Sequence, residues 1–230
     1  MSRVCYHGTP LTPRAALHAM AGRSFCVSFA RPDDIATVDQ IAASVMLDNG
    51  AFSFWMKARK AGNEACEAER DWTPYYAWAE RWLAADRWAV VPDAIAMPSQ
   101  INDALINQWP HGKAQAAPVY HMDEPISRLA RLLEQGWNRV ALGWVAQSRA
   151  DNKVGSDAYM RRLDEIEREI PSMPWGETHM LRGLAVMGVR PFPQRRQHQL
   201  GAKRVEVRQP SFRRPMARAE SLCRQIGGQA

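Results

Sequence analysis

The chain has 230 residues, 46% of them apolar, which is enough for one large domain with its own core and excludes a disordered chain. No run approaches the roughly 18 consecutive apolar residues of a membrane span. The opening MSRVCYHGTP lacks the zones of a signal peptide, so the expected place is the cytoplasm, with no membrane partner. The net charge of +6 belongs to the C-terminal end: residues 190 to 230 hold ten Lys or Arg against two acids, whereas residues 1 to 189 are net −2.

Short apolar runs alternate with helical patterns along the chain. VCYH (4 to 7) reads as a strand, and PRAALHAMAG (13 to 22) as a helix with Thr12 as its cap, Pro13 in its first turn and Gly22 at its stop. FCVSF (25 to 29) is a strand, DDIATVDQIAA (33 to 43) a helix and VML (45 to 47) a strand. Residues 54 to 86 are helical in two pieces, the second opened by Thr73 and Pro74, before the extended WAVVPD (88 to 93). A helix near 98 to 108 precedes the strand APVYH (117 to 121), and Pro125 starts a helix with Ile126, Leu129 and Leu133 on one face. RVALG (139 to 143) is a strand, 156 to 170 a helix with Leu163, Ile166 and Ile170 at helical spacing, and RGLAVMG (182 to 188) a strand.

Seven strand units, six of them followed by a helix, whose runs are apolar without a clean in-out period, predict an α/β protein with a parallel sheet covered on its faces. The expected fold is a TIM-like (β/α)8 barrel with its last βα unit missing or replaced by the basic tail. Residues 1 to 190 form the barrel domain, and residues 191 to 230 a basic C-terminal tail. Chemistry in such barrels sits where strands run into their loops: His7 and Gly8, Asp48 to Gly50, Asp93, His121 to Glu124, Gly143 with Trp144, and Gly188. Asp48 and Asp93 end consecutive strands, so two carboxylates face one rim and can divide acid and base work. A plainer reading stands beside this one: Asp48 and Asn49 make an Asx turn, Asp93 caps the next helix and Glu124 caps the helix begun by Pro125. The four cysteines, Cys5, Cys26, Cys66 and Cys223, are far apart, with no CxxC pair and no histidine at ligand spacing, so neither a disulfide framework nor a metal site is expected.

LDNGAFSFW (47 to 55) resembles the TDSGGFQ-type motif of tRNA-guanine transglycosylases, and VVPDAIA (90 to 96) resembles the later strand whose Asp hydrogen-bonds the purine. APVYHMDEP (117 to 125), ALGW (141 to 144) and LAVMGV (184 to 189) follow in the order of that family's VQGG, IGG and LMGVG segments. The similarity spans about residues 1 to 190 and is greatest to the smaller, zinc-less deazapurine-in-DNA protein A relatives of phages and prophages. The resemblance implies exchange of guanine for a 7-deazapurine base in a nucleic acid, DNA rather than tRNA, with no cofactor. Asp48 is then the general acid or base, and Asp93, Asn49, Gly50, Phe52, His121 and Gly143 meet the base. It also implies a nucleophilic Asp soon after the LMGVG segment, one that attacks C1′ and expels guanine as a covalent glycosyl enzyme forms. Here LAVMGVRPFP is followed by QRRQHQLGAKRVEVRQPSFRR, which contains no Asp.

Two readings of this tail follow. A legal back-translation of Pro193 to Arg208 from which a single C is removed reads PSADSTNLARNVSKFA, with an Asp at about the position of Arg196, so residues from about 194 onward read as a shifted frame and the encoded chain as inactive. Alternatively the tail is a nucleic-acid arm that sets Arg195, Arg196, Lys203 and Arg204 on phosphates, and the protein is a non-catalytic nucleic-acid-binding barrel. Lys57, after the Asp48 loop, is a further phosphate contact in either case. A barrel hydrolase of another substrate is a third possibility. The aromatic run from Trp72 to Trp88 is expected to pack on the barrel, and RRLDEIEREI (161 to 170) to form a solvated outer face.

Overall fold

Strands and helices alternate over residues 4–63, 69–144 and 153–183, which are those that the computed structural model describes. In chain order they are β1 (Tyr6–Gly8), α1 (Arg14–Ala19), β2 (Ser24–Ser28), α2 (Ile35–Ile41), β3 (Ser44–Asp48), α3 (Ala51–Lys60), α4 (Thr73–Trp82) and β4 (Arg87–Val90). There follow α5 (Ser99–Asn107), β5 (Ala116–Ala117), β6 (Val119–His121), α6 (Ile126–Glu134), β7 (Val140–Gly143), α7 (Asp157–Glu169) and β8 (Thr178–Met180). Among the described residues no helix is long and apolar enough to cross a membrane.

Among the described residues every strand pair is parallel, and neighbours in sequence are neighbours in space: β1 to β5 form one sheet, and β6 to β8 a second. The division falls at Pro118, which has no N–H for a ladder. Before it, β5 pairs with β4, and the Ala117 carbonyl accepts from the Val91 N–H at 2.9 Å; after it, β6 pairs with β7, and the Pro118 carbonyl accepts from the Ala141 N–H at 2.9 Å. One extended run thus serves both sheets.

Register sorts the strand side chains into two sets. Phe25, Val27, Val45, Leu47, Ala89, Tyr120 and Leu142 pack in one cluster with the helices, whereas Met46, Trp88, Val90, Ala117, Val119 and Ala141 form another, joined by Tyr6 and Cys26. In the second set the Trp88 indole N–H donates to the Tyr6 hydroxyl at 2.9 Å, and the His179 ring lies 5.5 Å from Tyr6 and 5.3 Å from Trp88. Side chains of β1, β4 and β8 therefore touch one another. As expected, the aromatic helix packs inward, with Tyr75 and Trp72 buried.

The strand that follows α7 is Thr178–Met180, and residues 181 and 182 form a turn in which Arg182 has a φ of 61°; the body of the expected strand 182 to 188, residues 184 to 188, lies outside the described residues. Two expectations change. Pro13, not Thr12, precedes α1, and no side chain caps it. Helix α7 does not leave all its charges in solvent, because Arg162 reaches back to the Tyr120 hydroxyl at 3.0 Å while pairing with Glu165 at 2.7 Å.

Candidate functional site

Strand β3 ends at Asp48, and the chain must turn at once into α3. Gly50 makes the turn with a φ of +79°, and a Cβ there would lie 2.9 Å from the Ala30 nitrogen, so only glycine fits without strain. The carboxylate of Asp48 accepts from the Gly50 N–H at 3.1 Å, and the Asn49 carbonyl oxygen from the Ala51 N–H at 2.8 Å. The Asx turn of the plainer reading is present, yet it does not exhaust either side chain.

The Asn49 amide donates both its hydrogens across to the next strand, to the Val91 carbonyl at 2.9 Å and to Oδ1 of Asp93 at 2.8 Å. Just below, the buried Tyr75 hydroxyl donates between the carbonyls of Leu47, at 3.1 Å, and Val90, at 2.7 Å. These bonds fix the ends of β3 and β4 against each other, and they hold Asp48 and Asp93 within electrostatic reach. Burial raises the pKa of Asp48; the Ser28 hydroxyl opposes this, the charge of Asp93 adds to it and the Gly50 N–H opposes it, with a net upward shift.

The other oxygen of Asp93 meets Nε2 of His121 at 2.8 Å, so β4 and β6 are joined by a buried acid–imidazole pair. Gly143 makes room for that ring: a Cβ on it would stand 3.0 Å from Cδ2 of His121. Burial acts to lower the pKa of His121, but the hydrogen bond and charge of Asp93, then the charges of Glu124 and Asp123, outweigh it and the net shift is upward. Beyond His121 the charges alternate. Glu124 accepts from the His121 backbone N–H at 3.1 Å and from Arg128 at 2.6 Å, Arg128 pairs with Asp103 at 2.8 Å, and Asp103 with Arg131 at 2.6 Å. Glu124 is thus spent inward on His121 and Arg128 rather than as the expected cap of α6, whose first turn has no side-chain cap.

No family model, curated protein or solved structure matches the chain. The site therefore stands on its own residues. Asp48, Asn49, Gly50, Asp93, His121 and Gly143 are brought together at the C-terminal ends of neighbouring strands. Phe52 lies on the first turn of α3 as one of the exposed large apolar side chains, with the Arg182 guanidinium 4.7 Å above its ring. Lys57 is exposed in the last turn of α3, whereas Arg195, Arg196, Lys203 and Arg204 lie outside the described residues. His7 does not join the site: it is in register with Phe25, and its ring packs 6.2 Å from that core residue. Among the described residues no group of three or more His, Cys, Asp or Glu is arranged to hold a metal ion.

The sequence reading does not point to Asn102 or Arg128, and it takes Tyr75 only as an aromatic that packs on the barrel. A signal for the first two exists there: Asn102 shares a helical face with Leu105 and Ile106, and Arg128 is next to Leu129 in a helix whose buried side includes Ile126 and Leu132. A polar residue in phase with an apolar stripe must find partners inside.

Proposed function

We propose that this protein carries the base-recognition and acid–base half of a nucleic-acid base-exchange site, in which guanine is replaced by a 7-deazapurine base. The observation that carries the reading is the joining of Asp48 and Asp93 through Asn49 at the ends of adjacent parallel strands, in the order in which the chain resembles tRNA-guanine transglycosylases. The sheets are inferred to curl into a TIM-like barrel, a reading supported by the contacts of Tyr6 with Trp88 and His179 across β1, β4 and β8.

In the exchange, a carboxylate attacks C1′, the bond from C1′ to N9 breaks, and the electron pair leaves with guanine. Asp48, whose raised pKa favours its acid form, gives that pair its proton. The resulting carboxylate then takes the N9 proton of the incoming 7-deazapurine, whose nitrogen attacks C1′ and releases the nucleophile. Asp93 uses one lone pair of each oxygen on Asn49 and His121 and keeps the others for the N–H groups of the purine edge. The attacking carboxylate itself belongs to the frame hidden after residue 194 under the shifted-frame reading.

The test is incorporation of labelled 7-deazaguanine into duplex DNA, and into tRNA in parallel, by protein with that frame restored. Incorporation that disappears with Asp48→Asn supports the reading. Restored, folded protein that incorporates into neither nucleic acid rules it out.

A further inference from the structure

Asn102 stands on α5, only 1% exposed, with both ends of its side chain committed. Its Oδ1 accepts the Ala94 N–H at 2.7 Å, and its Nδ2 lies 3.4 Å from the Ala94 carbonyl, from Nδ1 of His121 and from Oε1 of Glu124. Turning the amide over would set its NH2 group against the Ala94 N–H, donor against donor. Asn102 therefore shows His121 a donor. An imidazole whose Nδ1 faces a donor holds its own proton on Nε2, and Nε2 is the nitrogen 2.8 Å from Asp93.

The acids that would draw a proton to Nδ1 are placed otherwise. Oε1 of Glu124 is 3.9 Å from Nδ1, and its Oε2 is taken by Arg128 at 2.6 Å; Asp123 is exposed. The same amide also grips the backbone next to Asp93, in a loop where Ala96 holds a φ of 58° that an alanine rarely adopts. One buried side chain thus braces the loop that bears Asp93 and orients the ring that bonds to it.

We propose that Asn102 is a positioning residue, which clamps Ala94 and fixes the proton of neutral His121 on Nε2, so that His121 is a donor to Asp93 and not a base. What Asp93 and His121 then do with a purine rests on the base-exchange reading; the place of the proton is a property of the free protein. Protonating Nδ1 requires the Asn102 amide to rotate and release Ala94, which couples the ring's charge to the loop.

The experiment is nitrogen NMR of the full chain labelled with 15N-histidine, with His121 assigned by its loss in His121→Gln. Above the titration midpoint, the expected spectrum has a pyrrole-like Nε2 and a pyridine-like Nδ1. In Asn102→Asp a carboxylate takes the Nδ1 proton, and the midpoint rises by about 1 pH unit or more. A neutral ring protonated on Nδ1 in the unmodified protein overturns the proposal, as does an unmoved midpoint in folded Asn102→Asp. If that variant does not fold, the tautomer of the unmodified protein decides alone. The Nε2–H form without any binding of 7-deazaguanine sustains the positioning role and counts against the base-exchange reading.

Discussion

Nε2 of His121 and Oδ2 of Asp93 lie 2.8 Å apart, both residues buried, and bind the end of β6 to the loop that leaves β4. Asn49 completes the link to β3 from the other carboxylate oxygen. The ends of β3, β4 and β6, strands of both sheets, are thereby linked by side chains.

This pair sets a pH dependence. His121 has its pKa raised in the folded protein, so folding binds its proton more tightly than the unfolded chain does. The stabilisation is fully present below the unfolded value of 6.5 and is lost as pH rises through the raised folded value. Asp48 acts in the same sense at lower pH: its charge is penalised by burial, and stability declines from its ordinary value of 3.8 up through its folded pKa. Urea midpoints are therefore expected to fall on going from pH 6 to 9, and to fall less in His121→Gln. A midpoint that climbs over that range contradicts the assignment.

Asp48 is also expected to be a site where stability and activity trade. Asp48→Asn removes a partly buried acid whose charged form burial penalises, while keeping an acceptor for the Gly50 N–H, so the variant should be as stable as the parent or more so by about 1 kcal/mol at neutral pH. Denaturant titration checks this, and a large loss of stability would make Asp48 a structural residue.

Arg128 is 2% exposed and joins Glu124, Asp103 and the Val119 carbonyl. Removing it takes the paired cation from the buried Glu124, while Asp103 keeps Arg131, and Arg128→Met is expected to cost about 3–5 kcal/mol. Arg128→Lys should recover only part of this, because one ammonium cannot replace a fork that spans three acceptors. Unfolding curves that place Arg128→Met within about 1 kcal/mol of the parent would remove the charge chain from the account.

Two glycines separate backbone need from room for a ring. Gly50→Ala forces a left-handed alanine against the Ala30 backbone and should destabilise by about 1–3 kcal/mol. Gly143→Ala meets His121 instead, at 3.0 Å, and is expected to push the ring from Asp93. The His121 midpoint then drops toward 6.5, which histidine NMR reads directly.

Much of this was legible in the sequence. The alternation of apolar runs and helices points to the parallel α/β order, and the residues just past VML and at the ends of WAVVPD and APVYH are those that meet at the strand ends. What was not legible is the pairing among them. Asn49 looks like a turn residue and is one, but only the register of β3 with β4 shows that its amide reaches Asp93. Glu124 beside Pro125 reads as a cap until Arg128, one helical turn on, is seen to draw it inward. His7 lies in β1 as His121 lies in β6, yet it falls on the opposite face, because a shift of one residue reverses a strand's facing.

The basic tail is tested by the gene itself. A shifted frame across codons 188 to 230 predicts an Asp codon one base out of register near Arg196, followed by an open stretch that encodes ADSTN. A hidden frame without that Asp would return the tail to the nucleic-acid arm reading.

Equilibrium binding of 7-deazaguanine to the full chain, compared with Asp93→Ala, tests the central claim most directly. Hydrogen bonds to a charged acceptor contribute about 1.5–3 kcal/mol, so the account predicts saturable binding that weakens by roughly tenfold to a hundredfold in the variant. No binding by the parent protein, or equal binding by folded Asp93→Ala, would contradict it.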